Sequence, residues 1–347
     1  IVERWLEHYS CSTPFMPYWA LSLVVGWATF ILLVIIAILL KRYCRSKQFF
    51  PIDLTDRDTA LITVNGQYDR IPRSSSNLLD ATGIKISGEE IMLIREIGEG
   101  MYAKVYEGLW CGTRVAVKQL RMVANVRMNA QNEFLKETEL MTKLHHPNVV
   151  QLLAASPEPD FILITEYCGR GALWNILQSR RDMPRQRRFK LAKEIASGML
   201  YLHSRDPPVI HRDLKTSNIL VTNEWVAKVA DFGLSRVIDA GQRQMTMVGT
   251  YEYLAPECLR MEEYSVKADV YSFAIVMWEI FSDEDLYPNM SGFQIADKVR
   301  NQGLRPPINE NIPHPLIPLL KSCWAEAPMD RPTFKQIFNE LSYMTTK

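Results

Sequence analysis

The chain has 347 residues, 47% of them hydrophobic and 23% charged, with 40 basic against 39 acidic side chains for a net charge of +1. That balance gives no footing for a nucleic-acid partner, and the length is enough for more than one buried core. Six cysteines are dispersed without metal-ligand spacing, which argues against a zinc site and predicts free thiols beyond residue 41.

Tyr18 to Leu40 carries no charge over 23 residues. As a helix rising 1.5 Å per residue it spans the roughly 30 Å hydrocarbon core of a membrane with slight tilt. Lys41, Arg42, Arg45 and Lys47 follow at once, against a mixed Glu3, Arg4 and Glu7 before it, which places the C-terminal side in the cytosol. A cleaved signal peptide has a shorter apolar region and a small-residue site after it, unlike this run. Residues 1–17 are too few to bury a core, and a chain that begins with Ile is read as a fragment of a longer one whose outer domain is missing. Residues 41–90, with Pro51, Pro72, serines at 74–76 and scattered charges, read as a linker. Cys44 is a palmitoylation candidate, and RIPRSSSN (70–77) is a phosphorylation candidate for which a plain solvated loop weighs more.

GEGMYAKV (98–105) alone fits a dinucleotide loop or a simple turn. A dinucleotide fold continues into a helix, with an acid about twenty residues on. Here the chain continues as two strand-like runs, KVYEGLW and TRVAVKQL, turned at Cys111-Gly112, and the residue twenty on from Gly98 is Lys118. The expectation is a hairpin with Gly98 and Gly100 over phosphates, then a lysine on the third strand. AQNEFLKETELMTKL (130–144) places Phe134, Met141 and Leu144 near one helical face, with Glu133 and Glu137 interspersed. FILITEYCGRGAL (161–173) begins as a buried strand and ends in a glycine-punctuated loop.

Residues 209–233 read VIHRDLKTSNILVTNEWVAKVADFG. Asp213 can accept the proton of an attacking hydroxyl, Lys215 can neutralise a transferring phosphate, and Asn218 and Asp231 offer hard oxygen ligands for magnesium. ILVT (219–222) and VAKVA (226–230), joined through Asn223 and Glu224, read as a hairpin that brings Asn218 and Asp231 together. A polar stretch with the hydroxyls of Ser235 and Thr246 then leads to GTYEYLAPE (249–257), which adds those of Thr250, Tyr251 and Tyr253. Arg212, beside Asp213, can receive a phosphate from it, and Thr246 is the favoured residue.

HRDxxxxN, DFG and APE, in this order after the glycine-rich run, resemble the eukaryotic protein kinase family over residues 91 to about 343. That resemblance implies an α+β, two-lobed fold at 91–345, with ATP and Mg2+ as cofactors and protein substrates as partners. It implies that Glu137 clamps Lys118, with Glu133 as the second candidate. It further implies that Thr165 is the gatekeeper, that adenine meets the backbone of Glu166 and Cys168, and that Val105, Ala116 and Leu220 line the nucleotide. Ala103 stands where the family's third glycine falls. By the same resemblance Thr250 contacts base and lysine, Asp269 holds the backbone of the catalytic loop, and Arg331 pairs with Glu257. Lysine two residues after the base is the serine/threonine pattern, while FLKETELMTKLHHPNVVQLLAA and SCWAEAPMDRPTF look like the tyrosine kinase-like group, which contains the mixed-lineage and Raf kinases. FSDEDLYPNMSG (281–292) departs from the family's usual turn. The expected function is a single-pass membrane serine/threonine kinase with a cytosolic catalytic domain and a dimer partner left open. A dual-specificity or tyrosine kinase and a pseudokinase scaffold are the alternatives.

Overall fold

The computed structural model describes residues 51–52, 91–100, 103–120, 127–156, 161–179, 183–232, 236–237, 250–262 and 265–345. The apolar run 18–40, Cys44, the serines at 74–76, Ser235 and Thr246 lie outside them. Among the described residues no helix is long and apolar enough to cross a membrane.

An antiparallel sheet of six strands runs in the order β1 (Pro51–Ile52), β2 (Ile91–Glu99), β3 (Ala103–Trp110), β4 (Thr113–Leu120), β6 (Ile162–Glu166) and β5 (Leu152–Ser156). β1 falls in the stretch that the sequence assigns to the linker, and it pairs with the start of β2. An edge is where a sheet tolerates a proline such as Pro51, because only one side of an edge strand needs its N–H groups. Cys111 and Gly112 make the β3–β4 turn with φ +49 and +76. Between β4 and β5 lies helix α1 (Arg127–Thr142).

The second lobe contains β7 (Gly171–Ala172), α2 (Leu173–Gln178), α3 (Arg185–His203), β8 (Val209–Ile210), the hairpin β9 (Ile219–Val221) and β10 (Ala227–Val229), and β11 (Arg236–Val237). Helices α4 (Pro256–Leu259), α5 (Val266–Ser282), α6 (Gly292–Gln302), α7 (Ile317–Cys323) and α8 (Phe334–Thr345) complete it. α5 is apolar on nearly every face and is buried accordingly, with Ser265 capping its first turn through Lys267 N. Gly198 on α3 is required by contact: a Cβ there would fall 2.5 Å from the Asn148 carbonyl oxygen.

Two separate cores, one per lobe, are what the sequence leads one to expect. The structure instead has a small cluster of Ile91, Val115, Val117, Ala154, Ile162 and Ile164 on one face of the sheet, and a large core that runs from Phe134, Met141 and Leu144 of α1 through to α5 and α8. The reason is register. Strand alternation turns Val115 and Val117 to one face and Ala116 and Lys118 to the other, so the second face is left for α1 and the cleft.

Candidate active site

Residues directly opposite in an antiparallel pair project to the same face. Gly98 pairs with Val105, Val105 with Lys118, and Ala116 with Thr165, so one sheet face presents Gly98, Val105, Lys118, Ala116 and Thr165 together. Lys118 Nζ lies 2.8 Å from Glu137 Oε1 and 3.4 Å from Asp231 Oδ1, joining sheet, helix and second lobe through one ammonium. Burial alone would lower the Lys118 pKa, but the charges of Glu137 and Asp231 outweigh it and hold it above the ordinary lysine value. The ammonium is therefore charged at any physiological pH. Of the two candidate glutamates, Glu137 makes the pair, and the side chain of Glu133 lies outside the described residues.

Between the lobes, the Glu166 carboxylate accepts from Gln151 N and pairs with Lys228 Nζ, both at 2.8 Å. Its side chain is thus spent on structure. Cys168 is buried, and burial together with the Glu166 charge pushes its thiol up to about 12. Leu220 sits in β9 opposite Lys228.

Lys215, Asn218 and Thr250 cluster around Asp213. Its carboxylate meets Lys215 Nζ at 2.8 Å and accepts from Asn218 Nδ2 at 2.9 Å and from Thr250 Oγ1 at 3.4 Å. Lys215 Nζ also donates to Thr250 Oγ1 at 2.9 Å. A second bond from Asn218 Nδ2, to the Asp213 carbonyl oxygen at 2.8 Å, commits the nitrogen of that amide and leaves its oxygen as the metal-competent atom. The hairpin does what its sequence requires: Ala230 N donates to Asn218 O at 2.9 Å, which places Asp231 beside Asn218. β9 ends one residue before the stretch the sequence suggests, and β10 is one residue shorter at each end.

The loop itself is held from behind. Asp269, 1% exposed, accepts from His211 N at 2.9 Å and Arg212 N at 3.0 Å. These bonds stabilise a backbone in which Arg212 takes φ +70 and is buried. Burial would raise the Asp269 carboxyl, yet the bond and charge of His203, at 2.8 Å, and the contribution of His211 bring it below its usual value. Sequence reasoning missed His203, whose place on α3 gives no local sign of a partner 66 residues on. It missed Glu279 too. That carboxylate accepts from Tyr253 OH at 2.7 Å and Thr216 Oγ1 at 3.3 Å, and burial raises it to about 7.

A half-buried ammonium on a sheet, a carboxylate flanked by lysine and asparagine, and an acid at the far end of a hairpin can together orient a polyphosphate, a divalent cation and a hydroxyl. The family described as protein tyrosine and serine/threonine kinase matches residues 91–341, and the chain belongs to it. Similar proteins include the probable serine/threonine-protein kinase drkA of Dictyostelium discoideum, 39% identical over 80% of this chain and 43% of its own length. The serine/threonine-protein kinase CTR1 of Arabidopsis thaliana is 35% identical over 76% of this chain and 32% of its own length. A putative serine/threonine-protein kinase/receptor R831 of Acanthamoeba polyphaga mimivirus is 36% identical over 74% of this chain and 16% of its own length. The chain thus spans less than half the length of these relatives. Membership of the family implies ATP and a divalent metal.

Proposed function

We propose that this chain is an active, membrane-anchored serine/threonine kinase of the tyrosine kinase-like group, transferring the γ-phosphoryl group of ATP to hydroxyls of protein substrates. The observation that carries the reading is Lys215 bridging Asp213 and Thr250, at 2.8 and 2.9 Å, which sets a base, a cation and a hydroxyl around one point. The substrate oxygen attacks the γ-phosphorus, the bond to the β-phosphate oxygen breaks with its electron pair leaving on ADP, and the hydroxyl proton passes to Asp213. Lys215 offsets charge on the transferring group. Lys118, aimed by Glu137, holds the α- and β-phosphates beneath Gly98 and Gly100. Adenine lies between Val105, Ala116 and Leu220 against the backbone of Glu166 and Cys168, with Thr165 at the back.

Asn218 and Asp231 fit a hard cation, because both present oxygen and the hairpin sets them side by side. Magnesium bound there supplies neutralisation of phosphate charge. Positioning and electrostatics provide the rate, so side-chain identity matters at each of these places.

A pseudokinase would be expected to lack the base, the strand lysine or the metal acid, and Asp213, Lys118 and Asp231 are all present. Phosphoamino-acid analysis after reaction with a mixed peptide pool tests the proposal. Phosphoserine and phosphothreonine are the expected products; phosphotyrosine would move the chain to the dual-specificity or tyrosine reading, and no transfer would make it a scaffold.

Support for the anchor is the uncharged run 18–40 followed by four basic residues. Carbonate extraction should leave the chain in the membrane pellet, and release into the supernatant would remove this part of the proposal. Thr246 is proposed as the regulated hydroxyl, its phosphate received by Arg212. If Thr246→Ala gains activity on incubation with ATP as the unaltered chain does, another hydroxyl is the switch.

A further inference from the structure

The tip of the β9–β10 hairpin carries an arrangement that phosphoryl transfer does not use. Trp225 sits there at φ +61, a left-handed conformation that a bulky aromatic residue holds only when its surroundings impose it. The guanidinium carbons of Arg170 and Arg187 each lie 4.1 Å from the centre of its ring. Arg170 is fixed twice more, its amide donating to Val221 O and its Nε to Asn223 O, both at 3.0 Å. Gly169 permits that approach, since a Cβ there would fall 2.3 Å from Asn223 Oδ1. On the other side, Lys190 Nζ donates to Trp225 O at 2.8 Å.

The acids nearby are committed elsewhere. Glu194 accepts from Ala227 N and pairs with Lys190, and Glu224 bonds Thr222, with Arg170 the smallest of the influences on it. Helix α3 also opens on Arg185, Arg187 and Arg188 with no acid in its first turn and no side-chain cap, so positive charge faces the positive end of a helix dipole. Arg188 is buried and spends its guanidinium on Met183 O, Ile280 O and Asp283. Arg170, by contrast, is exposed and Arg187 half-buried.

We propose that Arg170, Trp225 and Arg187 form a docking site for a phosphorylated serine or threonine side chain on a protein segment, at the tip of the β9–β10 hairpin. The indole holds two planar donors in place before any ligand arrives, and guanidinium forks match phosphate oxygens bidentately. An anionic membrane selects charge spread over a broad face, whereas here it converges on one ring. Binding of this kind needs neither nucleotide nor Asp213, so it stands or falls separately from the transfer reaction.

The test titrates the full chain in detergent against a fluorescent peptide pool bearing one fixed phosphoserine in otherwise degenerate sequence, and against the same pool with serine. The phosphorylated pool should bind about tenfold tighter or better. Arg170→Ala combined with Arg187→Ala should bring it to the serine pool's value, and the corresponding Lys pair should fall between, because charge stays while the fork is lost. Nucleotide binding by each variant reports its fold, and the Lys pair decides the matter if the Ala pair is misfolded. Equal binding of the two pools, or a phosphoserine preference that survives loss of both arginines, overturns the proposal. Binding to phosphatidylserine vesicles that depends on Arg170 and Arg187, without preference for phosphoserine peptides, also overturns it and gives the surface to a membrane.

Discussion

Glu257 and Arg331 meet through two parallel hydrogen bonds of 2.6 and 2.8 Å, with both side chains sealed from water. Arg331 also donates to the carbonyls of Ala325, Glu326 and Lys267, so its charge is matched on every side. One guanidinium thus ties α4 to α5 and to the segment before α8. Arg331→Ala strands a buried carboxylate and should lower stability by about 3–5 kcal/mol. Denaturant unfolding of the two proteins measures it; a midpoint within error of the unaltered chain would show that the pair is not structural.

Asp213→Asn keeps the volume and the contacts with Asn218 and Lys215 but removes the carboxylate proposed as the base. Phosphoryl transfer should fall by about 10²–10⁴-fold while ATP affinity stays within roughly threefold, because the group acts on the hydroxyl and not on nucleotide. Steady-state kinetics with a separate nucleotide titration checks both. Activity close to that of the unaltered chain would take Asp213 out of its proposed role.

Glu137→Gln leaves Lys118 with Asp231 as its sole acid partner among the described contacts. Loss of a charge-assisted bond worth about 1.5–3 kcal/mol predicts a drop of roughly 10–150-fold in kcat/KM. Circular dichroism should show the fold intact. A fall in melting temperature without any kinetic change would mean that the pair serves packing and not phosphate positioning.

Glu279 has a pH signature. Its carboxyl rises from an ordinary 4.5 to about 7 in the folded chain, with burial the cause. The folded state therefore binds a proton more tightly than the unfolded state. Its contribution to stability is full below about pH 4.5 and is lost as pH climbs through 7, amounting to no more than about 3 kcal/mol. Glu279→Gln keeps an acceptor for Tyr253 OH without the charge. It should melt higher than the unaltered chain at pH 8 and about equally at pH 5. An equal gain at both pH values would show that ionisation of Glu279 is not what costs stability.

What was legible in the sequence was whatever depends on spacing along one element. Strand alternation and the Cys111-Gly112 turn gave β3 and β4, and the residues on either side of Asn223 gave the hairpin joining Asn218 to Asp231. The resemblance supplied contacts of long sequence separation, such as Glu257 with Arg331, which no periodicity encodes. What escaped were partners that only folding brings together: His203 on Asp269, Lys228 on Glu166, and Glu279 beneath Tyr253. Trp225 escaped for a different reason. Asn223 and Glu224 explain the turn by themselves, and nothing local says that an aromatic beside them will take φ +61 between two arginines.

Cys168 occupies the bend where adenine is proposed to lie, a position that would tempt a chemist to aim an electrophile at it. With its thiol pushed up to about 12, only on the order of one molecule in 10⁵ carries the thiolate at pH 7, and the sulfur is buried besides. Among the described cysteines, exposed Cys111 on the β3–β4 turn would meet the reagent first. Selective covalent inhibition therefore has to be won by binding, since the intrinsic reactivity of this cysteine works against it.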